Sequence, residues 1–407
     1  MLTPTTAPDF NDLDNYLDQL TEEKKAPGLI FLLHEKGKLK FLQKYGWQDI
    51  ENEIPLEFDT IFRIHSMTKP IIAVALMILF DEGKFELNDP ISKFLPEFSN
   101  LRVYVKEDND NMITEELERD ITILDLFTHT SGLSAQFLLD FGAFNDPIDK
   151  LYYKSFPHDK LKSMSLERVV KRIPLIPLRF QPGRHFKYGF GLDVLGRLIE
   201  VLSERPLDEF LDERLFQPLD MSDTGFRVPR EKLNRFAKIY IYNEENELEI
   251  FTNPGVDEPY QENYNFLCGG GGLVSSTRDF YNFTLMCLDK GRFKDKRLLD
   301  SETIDLITKN HLKNNQTIPT LIMEGDPIAG YFMGLKGYGQ GLGVRVLVEE
   351  GIRPSAIGEY GWAGAAETFF WVDPLNEVIG LLMIQVLPDF TAEIQKIMQL
   401  SYKGLGL

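Results

Sequence analysis

The chain has 407 residues, 43% hydrophobic and 26% charged, which supplies a large core and excludes a disordered chain. Its 44 basic and 63 acidic side chains leave a net charge of −19, which argues against the basic face of a nucleic-acid binder and against adsorption to anionic membranes. Length allows two or three domains, or one long two-part enzyme domain.

The opening stretch, Met1 to Asp14, lacks a basic n-region. Asn11 to Lys25 carries Leu13, Leu17 and Leu20 on one face, which predicts an amphipathic helix ended by Pro27-Gly28. Leu29 to Leu33 reads as a buried strand. A turn at Lys36-Gly37-Lys38 leads to a hairpin partner, Leu39 to Tyr45. Thr60 to Ile64 is strand-like. Thr68, Lys69 and Pro70 then precede the apolar run Ile71 to Phe80, and Glu82-Gly83 closes it. Proline in the first turn and glycine just past the end punctuate a helix, and the missing polar face implies burial on all sides. The run is about half of what a membrane span needs, so a cytoplasmic location is expected.

From about 85 to 270 the pattern is mainly helical, and the acid-rich Lys106 to Asp120 is read as a solvated loop. Helices are expected over Thr277 to Asp289, from Ser301, and over Thr391 to Tyr402. Strands are expected at Gly341 to Glu349, Glu367 to Val372 and Val378 to Val386. Strands near both chain ends predict one antiparallel sheet, an α+β fold in which 1–84 and 270–407 form the sheet part and 85–269 the helical part.

Several chemistries are missing from the sequence. It has no G-x-S-x-G, no H-E-x-x-H and no Walker A motif. Gly269 to Gly272 is followed by Leu273-Val274, so it reads as a tight turn rather than a phosphate loop. The histidines at 34, 65, 129, 158, 185 and 311 lack metal-ligand spacing. Cys268 and Cys287 are too few for a disulfide framework and are read as buried reduced thiols.

One S-x-x-K remains, Ser66-Met67-Thr68-Lys69. With 15 serines and 26 lysines, chance alone supplies about one such pair, so its setting must carry the weight. It opens the most buried helix, and residues i and i+3 share a helix face. A serine hydroxyl attacks only when a base takes its proton. A lysine serves as that base only when neutral, which burial and a helix N-terminus favour. Amides at the helix start are placed to hold an oxyanion.

The segment Phe62-Arg-Ile-His-Ser-Met-Thr-Lys-Pro70 resembles the nucleophile segment of the serine β-lactamase-like superfamily, in its class C β-lactamase and family VIII carboxylesterase branch. Further segments match in order: Leu126-Phe-Thr-His-Thr-Ser-Gly-Leu133, Gln181-Pro-Gly183 leading to Tyr188, Leu192-Asp-Val-Leu-Gly196, Pro218 to Gly225, Gly270 to Ser275, and Gly361-Trp-Ala-Gly364 before Trp371-Val-Asp-Pro374. The resemblance covers about residues 26 to 390. It implies Ser66 as acylated nucleophile, Lys69 as its base and Tyr188 as the second proton-transfer group. It also implies an oxyanion hole from the backbone N–H groups of Ser66 and Ala365, with Gly364 letting substrate approach. Lys187, next to Tyr188, is expected to point elsewhere.

Two departures bear on substrate. The lactamase Tyr-x-Asn reads Tyr188-Gly189-Phe190 here, which suggests an aromatic pocket wall at Phe190. The Lys-Thr-Gly motif reads Trp362-Ala363-Gly364, which offers no partner for a β-lactam carboxylate. Both point to a neutral acyl ester as the small-molecule partner. β-Lactamase, D-amino-acid amidase or peptidase, acyltransferase and a non-catalytic scaffold remain alternatives. Glu367 is expected either to face solvent or to narrow the pocket. The mechanism needs no metal or organic cofactor, no nucleic-acid or membrane partner is expected, and the oligomeric state is left open.

Overall fold

In β1 (Gly28–Glu35) every residue is buried, and the side chains alternate between two cores. Ile30 and Leu32 face the larger core, while Leu29, Phe31 and Leu33 face a second one. The continuous apolar run therefore marks a strand covered on both faces, with the period-two alternation of a pleated backbone. The computed structural model describes residues 9–109, 111–135, 146–161, 163–251, 260, 264–324, 326, 332, 334–387 and 390–407. Residues 1–8 of the opening stretch, and parts of 85–269, lie outside them.

Helix α1 (Asn11–Glu22) precedes β1, and β2 (Lys38–Asp49) and β3 (Ile54–Pro55) follow it. The buried helix α2 spans Thr68–Asp81 and α3 spans Gly191–Ser203. Helix α4 (Thr277–Leu288) leads into the second half of the sheet. That half comprises β4 (Tyr338–Gln340), β5 (Arg345–Leu347), β6 (Tyr360–Ala363), β7 (Phe369–Asp373) and β8 (Val378–Ile384), before helix α5 (Thr391–Leu405). The strand order is β4-β5-β6-β7-β8-β1-β2-β3, antiparallel throughout. Both chain ends thus build one sheet, joined where Phe31 pairs with Leu382.

Leu13, Leu17 and Leu20 of α1 and Ile394, Ile397 and Met398 of α5 cover one face with Phe31, Trp371 and Leu382. Trp371 pairs across the ladder with Gly380, and a Cβ there would lie 2.1 Å from the indole ring; only glycine leaves room for that ring. The opposite face, with Phe370, Leu381 and Met383, joins α2 and the helical part in the larger core. Each fully buried Leu, Ile or Phe contributes about 1.5–3 kcal/mol, so both faces are strongly specified.

The acid-rich stretch differs from the solvated loop expected for it. Arg102–Asp108 and Asn111–Glu116 form an antiparallel ribbon, most of its residues outside the core. Its Val103, Tyr104, Val105 and Ile113 are strand formers, and charge alone does not prevent pairing on a wet surface. The expected strand at Gly341 to Glu349 is shorter and belongs to a hairpin, with Gly343 at φ +73° in its turn. The middle of the chain also holds two short strands, Tyr240–Tyr242 and Leu248–Ile250. Among the described residues no helix is long and apolar enough to cross a membrane.

Candidate active site

Strand Ile61–Arg63 pairs with Val274–Ser276 and delivers the chain to a single 3-10 turn, His65–Met67, directly ahead of α2. His65 takes φ +42° there, a strained conformation for a side-chain-bearing residue. The reversal lifts Ser66 to the strand–helix junction. Buried hydrogen bonds fix it: the Ile64 amide donates to the Leu273 carbonyl at 3.1 Å, and the Leu273 amide donates to Thr68 Oγ1 at 3.1 Å. Gln385 accepts from the Arg63 amide at 3.1 Å and donates to the Arg63 carbonyl at 3.0 Å.

Helix α2 is buried from Thr68 to Leu79, so Lys69, one turn on from Ser66, projects into the protein with only 2% of its surface exposed. Its Nζ donates to Ser66 Oγ at 3.1 Å and to the Gly270 carbonyl. Tyr188 donates to the same Ser66 Oγ at 2.8 Å. The Lys69 ammonium also stands 4.4 Å from the centre of the Tyr188 ring, a cation–π contact that joins the two groups. Ser66, Lys69 and Tyr188 are therefore brought together from places far apart in sequence. Ser66 stays half-buried, accessible from outside.

Tyr188 is positioned by backbone. Gly189 lies so close to the Leu133 and Ser134 carbonyls that a Cβ would sit 2.7 Å from each, and the Phe190 amide donates to the Ser134 carbonyl at 3.1 Å. Lys187 points away into an acid pair, 3.1 Å from Asp149 and 3.2 Å from Asp326, all three buried side chains. The structure does not place Phe190 beside Tyr188. Its ring packs on Tyr152 and Phe156 in the helical core, because the chain already turns into α3 at Phe190, with φ −67° and ψ 8°.

Trp362, at the end of β6, stacks on Tyr188 with ring centres 6.2 Å apart. After it the chain turns: the Gly364 amide donates to the Thr368 carbonyl at 2.7 Å and the Glu367 amide to the Gly364 carbonyl at 3.0 Å. Ala365 lies exposed at the tip. Gly364 has a packing reason beyond the substrate access expected of it, since a Cβ would meet the Ile64 carbonyl at 2.6 Å. Glu367 is buried, with φ +67°, so it does not face solvent. The run Gly269 to Gly272 is a tight turn wrapped around Lys69, with Gly269 against the Leu192 carbonyl and Gly272 against that of Cys268. Both thiols are free; Cys287 is buried, while Cys268 is half-buried as a residue.

Three site residues escaped the sequence reading. His129, at φ +56°, lies with its ring centre 4.7 Å from that of Tyr188 and 6.3 Å from that of Trp362. Burial, then the charge of Lys69, hold its imidazole well below the usual range, so it is neutral. It sits inside the matching segment 126–133, which was the available signal. Phe186 and Phe332 pack on His129 and Tyr188 respectively; Phe332 has no marker in the sequence. Among the described residues no three His, Cys, Asp or Glu side chains group as a metal site.

An antiparallel sheet with helices on both faces, and a half-buried serine at a strand–helix junction beside it, are features of the β-lactamase-like serine hydrolases. The chain belongs to the Beta-lactamase family, which it matches over residues 13–400. It is 31% identical over 373 residues to Protein Rv1367c of Mycobacterium tuberculosis, covering 90% of this chain and 87% of that one. It is 31% identical over 288 residues to Esterase EstB of Burkholderia gladioli, covering 66% and 67%. The structure of EstCE1, described as a hydrolase with promiscuous acyltransferase activity, shares the fold with a TM-score of 0.78 at 21% identity, over 96% of this chain and 97% of that one. The family thus holds a relative of this chain named as an esterase.

Proposed function

We propose that the chain is a carboxylesterase that cleaves neutral esters of short-to-medium acyl groups through an acyl-enzyme on Ser66. The observation that carries this is the convergence of Lys69 Nζ and Tyr188 Oη on one serine oxygen, at 3.1 and 2.8 Å. The Lys69–Tyr188 pair takes the Ser66 proton when one of its members is deprotonated, and Oγ attacks the ester carbonyl. The Ser66 and Ala365 amides hold the resulting oxyanion. Collapse expels the alcohol, which receives its proton from Tyr188. Water then attacks the acyl-enzyme by the same route in reverse and frees the acid. Neutral substrates fit a site whose wall is Trp362, His129 and Tyr188 and whose β6 edge reads Trp362-Ala363-Gly364. The name of Esterase EstB supports ester hydrolysis.

Acyl transfer to an alcohol is the second reading, supported by the acyltransferase activity in the description of EstCE1. It uses the same acyl-enzyme and differs only in the group that resolves it. The test is p-nitrophenyl butyrate hydrolysis by wild type and Ser66→Ala. The expected loss is at least about 10³-fold with an unchanged melting temperature. Residual activity within about tenfold of wild type refutes the Ser66 mechanism.

A further inference from the structure

We propose that Asp193 is the positioning residue that aims Lys69 at Ser66, acting through the backbone of Gly270; the inference rests on the Ser66 acyl-enzyme reading. Asp193 lies in the first turn of α3, with 3% of its surface exposed. Its Oδ1 accepts the Gly270 amide at 3.1 Å. The carbonyl of that same glycine accepts from Lys69 Nζ. Gly270 therefore faces the acid with its N–H and the lysine with its C=O, and the peptide that carries the C=O is tied a second time where the Gly271 amide donates to the Cys268 carbonyl at 3.3 Å.

The acid has a second donor, the thiol of Cys268. Two donors on one group suit a carboxylate, which only accepts, and suit an amide poorly, because half of an amide donates. The fit around the carboxylate is close: a Cβ on Gly270 would lie 2.8 Å from Asp193 Oδ2. Glycine is thus required where the acid grips the turn. Burial and the neighbouring acid push the Cys268 thiol well up, so it stays protonated and keeps donating.

The consequence concerns Lys69. An ammonium on a four-carbon stem has many rotamers, and a donor with no fixed acceptor wanders. The Gly270 carbonyl and the Ser66 hydroxyl are two fixed acceptors that define one direction for Nζ. Loosening the carbonyl leaves Lys69 buried but misaimed. A purely structural role for Asp193, as a charge at a helix N-terminus, predicts lost stability and an unchanged rate per folded molecule. The positioning role predicts a rate effect on the folded enzyme.

The experiment uses the full chain as wild type, Asp193→Asn, Cys268→Ser and Cys268→Ala. Rates of Ser66 labelling by a fluorophosphonate, and kcat and KM for p-nitrophenyl butyrate, are each normalised to folded protein. Asp193→Asn is expected to lower kcat and the labelling rate about 10- to 100-fold, with KM within about twofold. Cys268→Ser, which keeps a donor, should slow labelling less than Cys268→Ala. Normalised rates of Asp193→Asn within about threefold of wild type overturn the inference. If Asp193→Asn does not fold, equal labelling of the two Cys268 variants overturns it. A wild-type chain that is not labelled at Ser66 overturns the reading of the site and this inference with it. Labelled wild type with equally fast Asp193→Asn overturns this inference alone.

Discussion

Adding one methyl group at Gly364 tests how tightly the proposed oxyanion turn is set against the nucleophile. An ideal Cβ at this position lies 2.2 Å from Thr368 Oγ1 and 2.6 Å from the Ile64 carbonyl oxygen. The buried threonine hydroxyl, itself a donor to the Ile64 carbonyl at 3.5 Å, must also give way. The carbonyl belongs to the backbone that carries Ser66 and accepts from the Met67 amide at 2.9 Å. An ordinary carbon–oxygen contact is about 3.3 Å, so the two backbones must part by about 0.7 Å. The turn is closed on itself by the Gly364–Thr368 and Glu367–Gly364 bonds at 2.7 and 3.0 Å, so it moves as a unit and carries the Ala365 amide away from Ser66. A displacement near 1 Å costs about 100-fold and a lost oxyanion donor about 10²–10³-fold. Gly364→Ala should therefore lose about 10- to 100-fold in kcat, with KM within about threefold. Overpacking should also remove about 1–3 kcal/mol of stability. The assay is p-nitrophenyl butyrate turnover normalised to phosphonate-labelled serine, with thermal melting in parallel. A normalised kcat within about threefold of wild type would show that the 364–368 turn is not coupled to the reacting carbonyl.

Tyr188→Phe removes the hydroxyl 2.8 Å from Ser66 Oγ and keeps the ring that Lys69 and His129 contact; kcat should fall about 10²–10⁴-fold with little change in KM, and a loss under about tenfold would remove Tyr188 from proton transfer. Lys187→Met leaves Asp149 and Asp326 buried without this cation, so chemical unfolding should show about 3–5 kcal/mol less stability, and unchanged stability would refute the buried pairing. His129 is held neutral in the fold by burial and by Lys69, whereas unfolded histidine titrates near its usual value. Below about pH 6.5 the unfolded state takes up a proton that the folded state refuses, and stability falls by about 1.4 kcal/mol per pH unit. His129→Phe keeps the ring contacts and removes this term. Between pH 7 and 5 it should lose about 2 kcal/mol less than wild type, and equal losses would refute the assignment.

The fold was legible where one physical signal dominated. The unbroken apolar runs at Leu29 to Leu33 and Ile71 to Phe80 admit only doubly covered elements, and both are buried. The ribbon at 102–116 was not legible, because its acids mask the strand formers among them and its pairing is not driven by burial. At the site, the Ser66 to Lys69 spacing and the Tyr188 segment carry visible chemistry. The side on which Phe190 lies is set by the turn of the chain into α3 at that residue, which its aromatic side chain does not mark. Phe332 is unmarked for another reason: it reaches Tyr188 from more than a hundred residues away in sequence.

Three segments from distant parts of the chain meet around Ser66, two by backbone and one by a side-chain amide. The Leu273 amide reaches Thr68, the Gly270 carbonyl reaches Lys69, the Gly364 backbone lies against Ile64, and Gln385 brackets Arg63. Backbone contacts this close leave no space for a side chain at Gly269, Gly272 and Gly364, and the Asp193 carboxylate leaves none at Gly270. They also resist displacement, because a peptide unit tied at both ends has no rotamers to explore. A nucleophile that must meet a lysine, a tyrosine and two amides in one geometry needs that stiffness, since a misplacement of about 1 Å is worth about 100-fold in rate. The strained φ of His65, at +42°, fits the same logic. A cost of about 1–3 kcal/mol is tolerated at the residue before Ser66 because the surrounding bonds over-determine its backbone. Substitutions that relax this frame should lower turnover before they unfold the protein.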